Sequence, residues 1–226
     1  MAYTTIIMNH EEIHKKFILL GASRGLGWAT YKKLYASYPN ATFLLVSRRI
    51  LEKEVNFLGQ TQAFSFDFSK DGETYWNNFF EKIKIFSPTD IIYFAGGGPY
   101  GKFEDKKWSD HEWAFKVSFL APAKVLHHCL SQLSDFTNLE IFTCIGSAIA
   151  ESNPDKEASS YCAAKHALKG LVESVQLESK RRFKIKLFSP GYIETDLLPP
   201  NSWPREQGLA KSAENVAEDL LRSHLS

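Results

Sequence analysis

The chain has little that would commit it to an oxidising compartment, a membrane or a metal. Three cysteines in 226 residues, an odd number without paired spacing, exclude a disulfide framework and suit a reducing compartment. Cys129, Cys144 and Cys162 lie in apolar or helical stretches and read as buried fillers. No apolar run is long enough to span a bilayer, and Thr5-Ile6-Ile7-Met8 is too short and lacks the charged lead of a signal peptide. A cytoplasmic location and no membrane partner are therefore expected. Net charge is also nearly absent: 27 Lys and Arg against 26 Asp and Glu leave a formal +1, which gives no field to gather nucleic acid. The Lys180-Arg181-Arg182 run is local and suits a helix end. His127 and His128 are adjacent, so on a helix they face different ways, and no metal site is expected. Repeats, low-complexity tracts and interdomain linkers are missing. Residues 1–226 are read as one domain, with 1–15 as an N-terminal extension.

What is present is a core. At 44% apolar residues the chain can bury one substantial interior. Strand and helix patterns alternate, which predicts a parallel sheet covered on both faces, a doubly wound α/β fold. Strands are expected near 16–20, 41–46, 61–66, 90–94, 139–145 and 184–189, and helices near 25–38, 50–58, 71–86, 108–133, 158–182 and 212–224.

Two segments carry chemistry. Tyr161 and Lys165 stand four residues apart in Ser-Ser-Tyr-Cys-Ala-Ala-Lys, and on a helix such residues share a face. With about 4 Å between charges and an effective dielectric of about 20, the attraction is roughly 4 kcal/mol, about three pKa units. A phenol starting near ~10 is then expected close to ~7, where a general acid works best. Ser147 ends an apolar run just upstream and adds a hydroxyl. Near the N-terminus, the apolar run 16–20 leads directly into Gly21-Ala22-Ser23-Arg24-Gly25-Leu26-Gly27, followed by a helical pattern. A glycine-rich turn between strand and helix lets backbone approach a pyrophosphate and aims helix N-terminal N–H groups at it. Its G-x-x-x-G-x-G spacing differs from G-x-G-x-x-G.

In this order the glycine turn, Ser147, Tyr161 and Lys165 resemble the short-chain dehydrogenase/reductase family, from about Lys16 to Asp196. The resemblance implies a Rossmann fold, here six-stranded because a final helix stands where relatives commonly place a seventh strand. It implies hydride transfer between a nicotinamide dinucleotide and a small carbonyl or alcohol. Gly21, Ser23, Arg24, Gly25, Leu26 and Gly27 would hold the dinucleotide. Tyr161 would move the proton, Lys165 would tune it and hold the ribose, and Ser147 would orient the carbonyl. Asp67 and Phe68 match the adenine contact, Ala95, Gly96 and Gly97 the close backbone approach, and Pro190, Gly191, Ile193 and Thr195 the nicotinamide segment. Ser147 and Tyr161 are slightly further apart than usual, which implies a small insertion within 151–157. Two further departures concern polar groups: Phe94 replaces an Asn at a strand end, and Ser118 replaces the Asn that supports a water in the proton relay.

Charge argues for NADP(H). Ser47-Arg48-Arg49 follow the second strand with no acid there to accept a ribose diol, and Arg24 adds a further cation. The expected substrate wall is largely apolar: Pro99, Tyr100, Ile149, Ser152, Tyr192, Leu197, Leu198 and Trp203, with 196–211 as a short substrate-side lid over a fairly open site. A 3-oxoacyl-carrier-protein reductase is one alternative, although Asp135-Phe136-Thr137-Asn138 offers no basic surface. An NADP(H)-binding sensor or scaffold is another. A homodimer through helices 108–133 and 158–182 is expected ahead of a tetramer.

Overall fold

A computed structural model describes residues 14–52, 57–152, 154–178 and 183–225. Thr5 to Met8, most of the 1–15 extension and the Lys180-Arg181-Arg182 run lie outside these residues. Six strands, β1 (Lys16–Leu20), β2 (Thr42–Val46), β3 (Gln60–Phe64), β4 (Asp90–Tyr93), β5 (Ile141–Ile145) and β6 (Lys184–Phe188), form one parallel sheet in the order β3-β2-β1-β4-β5-β6. Side chains alternate across it. Ile18, Leu20, Leu44, Val46, Ile91 and Tyr93 fill the core on one face, and Phe17, Leu19, Phe43, Leu45 and Ile92 fill the core on the other. Strands buried on both faces need continuous apolar runs, which is why the central strands were legible.

Helices α1 (Gly25–Ser37) and α7 (Ala213–Leu225) pack against each other on one face. The other face carries α2 (Glu73–Phe86), α3 (Trp108–Phe115), α4 (Ala121–Ser131) and α5 (Ser159–Leu177). Because the order reverses between β1 and β4, their C-terminal ends part and leave a crevice where such sheets bind ligands.

Of the expected helix over 50–58, the described residues show a 3₁₀ turn, Ile50–Glu52, and 53–56 lie outside the described residues. Within that turn Ile50 reaches the core, while Leu51 is 66% exposed. The expected helix 108–133 is α3 and α4 joined by a π-helical turn, Lys116–Leu120. Pro122 explains it. Proline has no N–H, and the Ala121 N–H donates five residues back to the Lys116 carbonyl. The Val117 carbonyl is thereby released and accepts the Tyr93 hydroxyl at 3.0 Å.

The far end of the sheet is tied by a buried polar cluster. His224 of α7 is fully buried, with Nε2 3.0 Å from Asp90 Oδ1 and Nδ1 2.8 Å from Thr143 Oγ1. Thr89 Oγ1 and Lys15 Nζ donate to Asp90 Oδ2 at 2.6 and 3.1 Å. Burial disfavours the Asp90 charge, but these hydrogen bonds and the Lys15 ammonium outweigh it and hold its pKa below the ordinary value. All three cysteines are free and buried, as expected of fillers. Among the described residues, no helix is long and apolar enough to cross a membrane.

Candidate active site

The C-terminal ends of β1, β2, β4, β5 and β6 open into one cleft of about 310 Å³. Its floor is the turn after β1. Gly21 has φ +101°, and a Cβ there would lie 2.4 Å from the Ala95 nitrogen, so the turn passes this close to the end of β4 only as glycine. Leu20 helps to set this approach, since its carbonyl accepts N–H bonds from both Phe94 and Ala95 at 2.7 and 2.9 Å. Phe94 packs against the core shared by α1 and α7.

The cleft brings together Gly21, Ser23, Arg24, Gly25, Leu26, Gly27, Ser47, Arg48, Arg49, Asp67, Phe68, Ala95, Gly96, Ser147, Tyr161, Lys165, Pro190, Gly191, Ile193 and Thr195. Ser118 and Gly97 are not among its lining residues. Ser118, fully buried in the π turn, donates to the Gly97 carbonyl at 2.9 Å and accepts the Gly97 N–H at 3.0 Å, which braces the loop behind Gly96. On the expected substrate wall Pro99, Tyr100, Ile149, Tyr192, Leu197 and Leu198 face the cleft, whereas Ser152 and Trp203 do not line it.

Beyond β3, Asp67 Oδ1 accepts from the Ser69 N–H and hydroxyl at 2.9 and 2.7 Å, closing a local turn, while α2 begins beyond it at Glu73. The Arg48 guanidinium lies 5.6 Å from the centre of the Trp113 ring. Arg24 Nη1 is 2.9 Å from Asp196 Oδ2. Ser47 Oγ is the one buried side-chain polar atom among the described residues without a hydrogen-bond partner.

Ser147 follows β5 and caps a 3₁₀ turn, Ala148–Ala150, accepting the Ile149 N–H at 3.4 Å. Tyr161 and Lys165 lie on α5 as the four-residue spacing requires. Gly98 lets the helix come close, since a Cβ there would sit 2.9 Å from Tyr161 Cβ. The Lys165 ammonium is 3% exposed as a residue, donates to the Ile145 carbonyl at 2.7 Å and lies 5.5 Å from the centre of the Tyr161 ring.

This geometry corrects the expected phenol. Tyr161 is pushed up to about 12, chiefly because the surrounding protein strips the phenolate of water, with a hydrogen bond to Ser147 pulling the other way. Burial likewise lowers Lys165 to about 8. The four-residue spacing implied two charges about 4 Å apart at an effective dielectric of about 20; instead the ammonium is turned to a backbone carbonyl, and loss of water weighs on both groups.

The sequence reading missed Trp113, Asp155 and Asp196, which also line the cleft. None belongs to a spacing motif. Asp155, within the 151–157 loop, accepts the Tyr192 hydroxyl at 3.0 Å and the Trp203 indole N–H at 2.8 Å. Trp203 begins a short helix, α6 (Trp203–Glu206), that the pattern did not reveal because four residues carry no periodicity. The segment 196–211 is further held by Arg205, whose guanidinium donates to the carbonyls of Leu198 and Thr195 at 3.1 and 2.9 Å, and by a bridge between Ile193 and Lys211.

The profile of the short chain dehydrogenase family matches residues 15–204. The chain belongs to the short-chain dehydrogenase family. It is 25% identical over 195 residues to the cyclic-di-GMP-binding biofilm dispersal mediator protein of Escherichia coli (strain K12), covering 85% of this chain and 78% of that protein. It is 27% identical over 187 residues to the 3-ketodihydrosphingosine reductase TSC10 of Yarrowia lipolytica (strain CLIB 122 / E 150), covering 73% of this chain but 48% of that protein. The fold matches that of a short-chain dehydrogenase from Burkholderia cenocepacia J2315 in complex with NADP, with a TM-score of 0.77 at 20% identity, over 92% of this chain and 89% of the other.

Proposed function

We propose that this member of the short-chain dehydrogenase family is an NADP(H)-dependent oxidoreductase acting on a small carbonyl compound or its alcohol, with Tyr161 as general acid and base. One observation carries the reading: Ser147, Tyr161 and Lys165 share a single cleft with the glycine turn. The residues fit a phosphorylated dinucleotide. Ser47 Oγ is buried without a partner beside Arg48 and Arg49, and a phosphate oxygen is the acceptor that such a hydroxyl lacks. The turn that Gly21, Gly25 and Gly27 line in the cleft would face the pyrophosphate, and Asp67 retains Oδ2 for an amino group. NADP(H), when bound, supplies or accepts the hydride.

The chain's own groups do the rest. In reduction, the Ser147 hydroxyl hydrogen-bonds the carbonyl oxygen, and the Tyr161 phenol donates its proton as that oxygen gains negative charge. A phenol near 12 keeps its proton through the neutral range and gives it only to a stronger base, which a developing alkoxide is. The nearby Lys165 ammonium stabilises the resulting phenolate. In the reverse direction Tyr161 must first lose its proton, so oxidation needs a higher pH. Ser118 positions the loop through Gly97, and Asp155 holds the 196–211 lid over the substrate end. The test is a panel of small ketones, diketones and quinones run with NADPH and NADH in parallel. Turnover with NADPH favoured supports the reading, and no turnover with either nucleotide contradicts it.

A second reading is a binding protein or sensor, favoured by the similarity to the cyclic-di-GMP-binding mediator. Tight binding of cyclic di-GMP in the same cleft, with no turnover across the panel, would select it.

A further inference from the structure

The Arg24–Asp196 pair lies in the cleft proposed for the dinucleotide. Both residues line the cleft, and their side chains meet at 2.9 Å. A Cβ at Gly25 would lie 3.1 Å from Thr195 Cγ2, so the glycine turn and the segment bearing Asp196 are packed together. Thr195 is fixed in turn, its carbonyl accepting from Arg205 Nη2 at 2.9 Å and the Leu198 N–H at 3.1 Å. The backbone bearing Asp196 is thus fixed beside the glycine turn. Yet the side chains are 54% and 75% exposed, and an ion pair so open to water is weak and readily exchanged.

We infer that Asp196 limits the site's preference for the phosphorylated dinucleotide by competing with the 2′-phosphate for Arg24. The inference rests on the NADP(H) reading above. A 2′-phosphate would bring close to two negative charges into the cleft that Arg24, Arg48 and Arg49 line. To take the Arg24 guanidinium it must displace the Asp196 carboxylate and then endure its repulsion. A ribose 2′-hydroxyl meets neither obstacle. Removing the carboxylate charge should therefore strengthen NADPH binding selectively. Two charges against one at about 6 Å, in water-like dielectric and physiological salt, correspond to about a 3- to 10-fold change in Kd.

The experiment measures Kd for NADPH, NADH and 2′,5′-ADP by calorimetry on the full chain as wild type, Asp196→Asn, Arg24→Gln and the double variant. Both side chains are exposed, and circular dichroism checks the fold. The expected result is a 3- to 10-fold lower Kd for NADPH and 2′,5′-ADP in Asp196→Asn, a change below 2-fold for NADH, and loss of the gain in the Arg24→Gln background. Equal changes for NADPH and NADH, weaker NADPH binding, or a gain that persists without Arg24 would overturn the role of Asp196 alone. Wild type that binds none of the three would instead remove the cofactor reading beneath it.

Discussion

Replacing Lys165 with Met should make this protein more stable while removing its activity. The ammonium is buried, and its pKa falls from 10.5 to about 8, so the charged form costs the folded state about 3 kcal/mol relative to the neutral amine. Below about pH 8 both folded and unfolded chains carry the proton, and that cost is fully present. Between about 8 and 10.5 the folded state binds fewer protons than the unfolded one, so this group makes stability rise with pH across that window. Methionine fills similar space without charge. It forfeits the bond to the Ile145 carbonyl, which costs about 1 kcal/mol. The net expectation at pH 7 is a gain of about 2 kcal/mol, a rise of about 1 M in the urea midpoint. Urea unfolding of both proteins from pH 7 to 10 is the assay, and the difference between them isolates Lys165 from the other lysines. The stability gap should narrow as pH rises above 8. A variant less stable than wild type at pH 7, or a gap independent of pH, would refute the reasoning.

Three other outcomes are expected. His224→Ala should destabilise by about 2–4 kcal/mol in thermal or urea unfolding, because it leaves the buried Asp90 carboxylate short of a donor; a loss under 1 kcal/mol would show that the cluster does not anchor α7. With Asp90 held below its ordinary 3.8, its contribution is complete above that pH and disappears as pH falls further, so wild type should lose stability more steeply than the variant in acid titration. Asp155→Asn removes one of two acceptors for Tyr192 and Trp203, and trypsin should then cut at Arg205 or Lys211 several-fold faster; unchanged digestion would mean that other contacts hold the 196–211 segment.

Most of the fold was legible because the central strands must be apolar on both faces, and Phe17 to Leu20 or Phe43 to Val46 leave no other reading. The glycine turn and the Tyr161–Lys165 spacing were legible because their geometry is local. What sequence could not supply was set by tertiary packing. Ser118 turns to Gly97 because Pro122 distorts a helix, and Lys165 turns to Ile145 because of where β5 ends. Asp155 and Asp196 acquire their partners across 48 and 172 residues, separations to which no periodicity reports. The phenol's pKa was misjudged for the same reason, since desolvation depends on everything packed around the ring.

The most direct measurement is NADPH oxidation with a small carbonyl compound by wild type and Tyr161→Phe, alongside NADPH binding by both. The account predicts that the variant loses at least about 100-fold in kcat while its Kd for NADPH stays within about 3-fold. A Tyr161→Phe protein that retains turnover within 10-fold of wild type would contradict it.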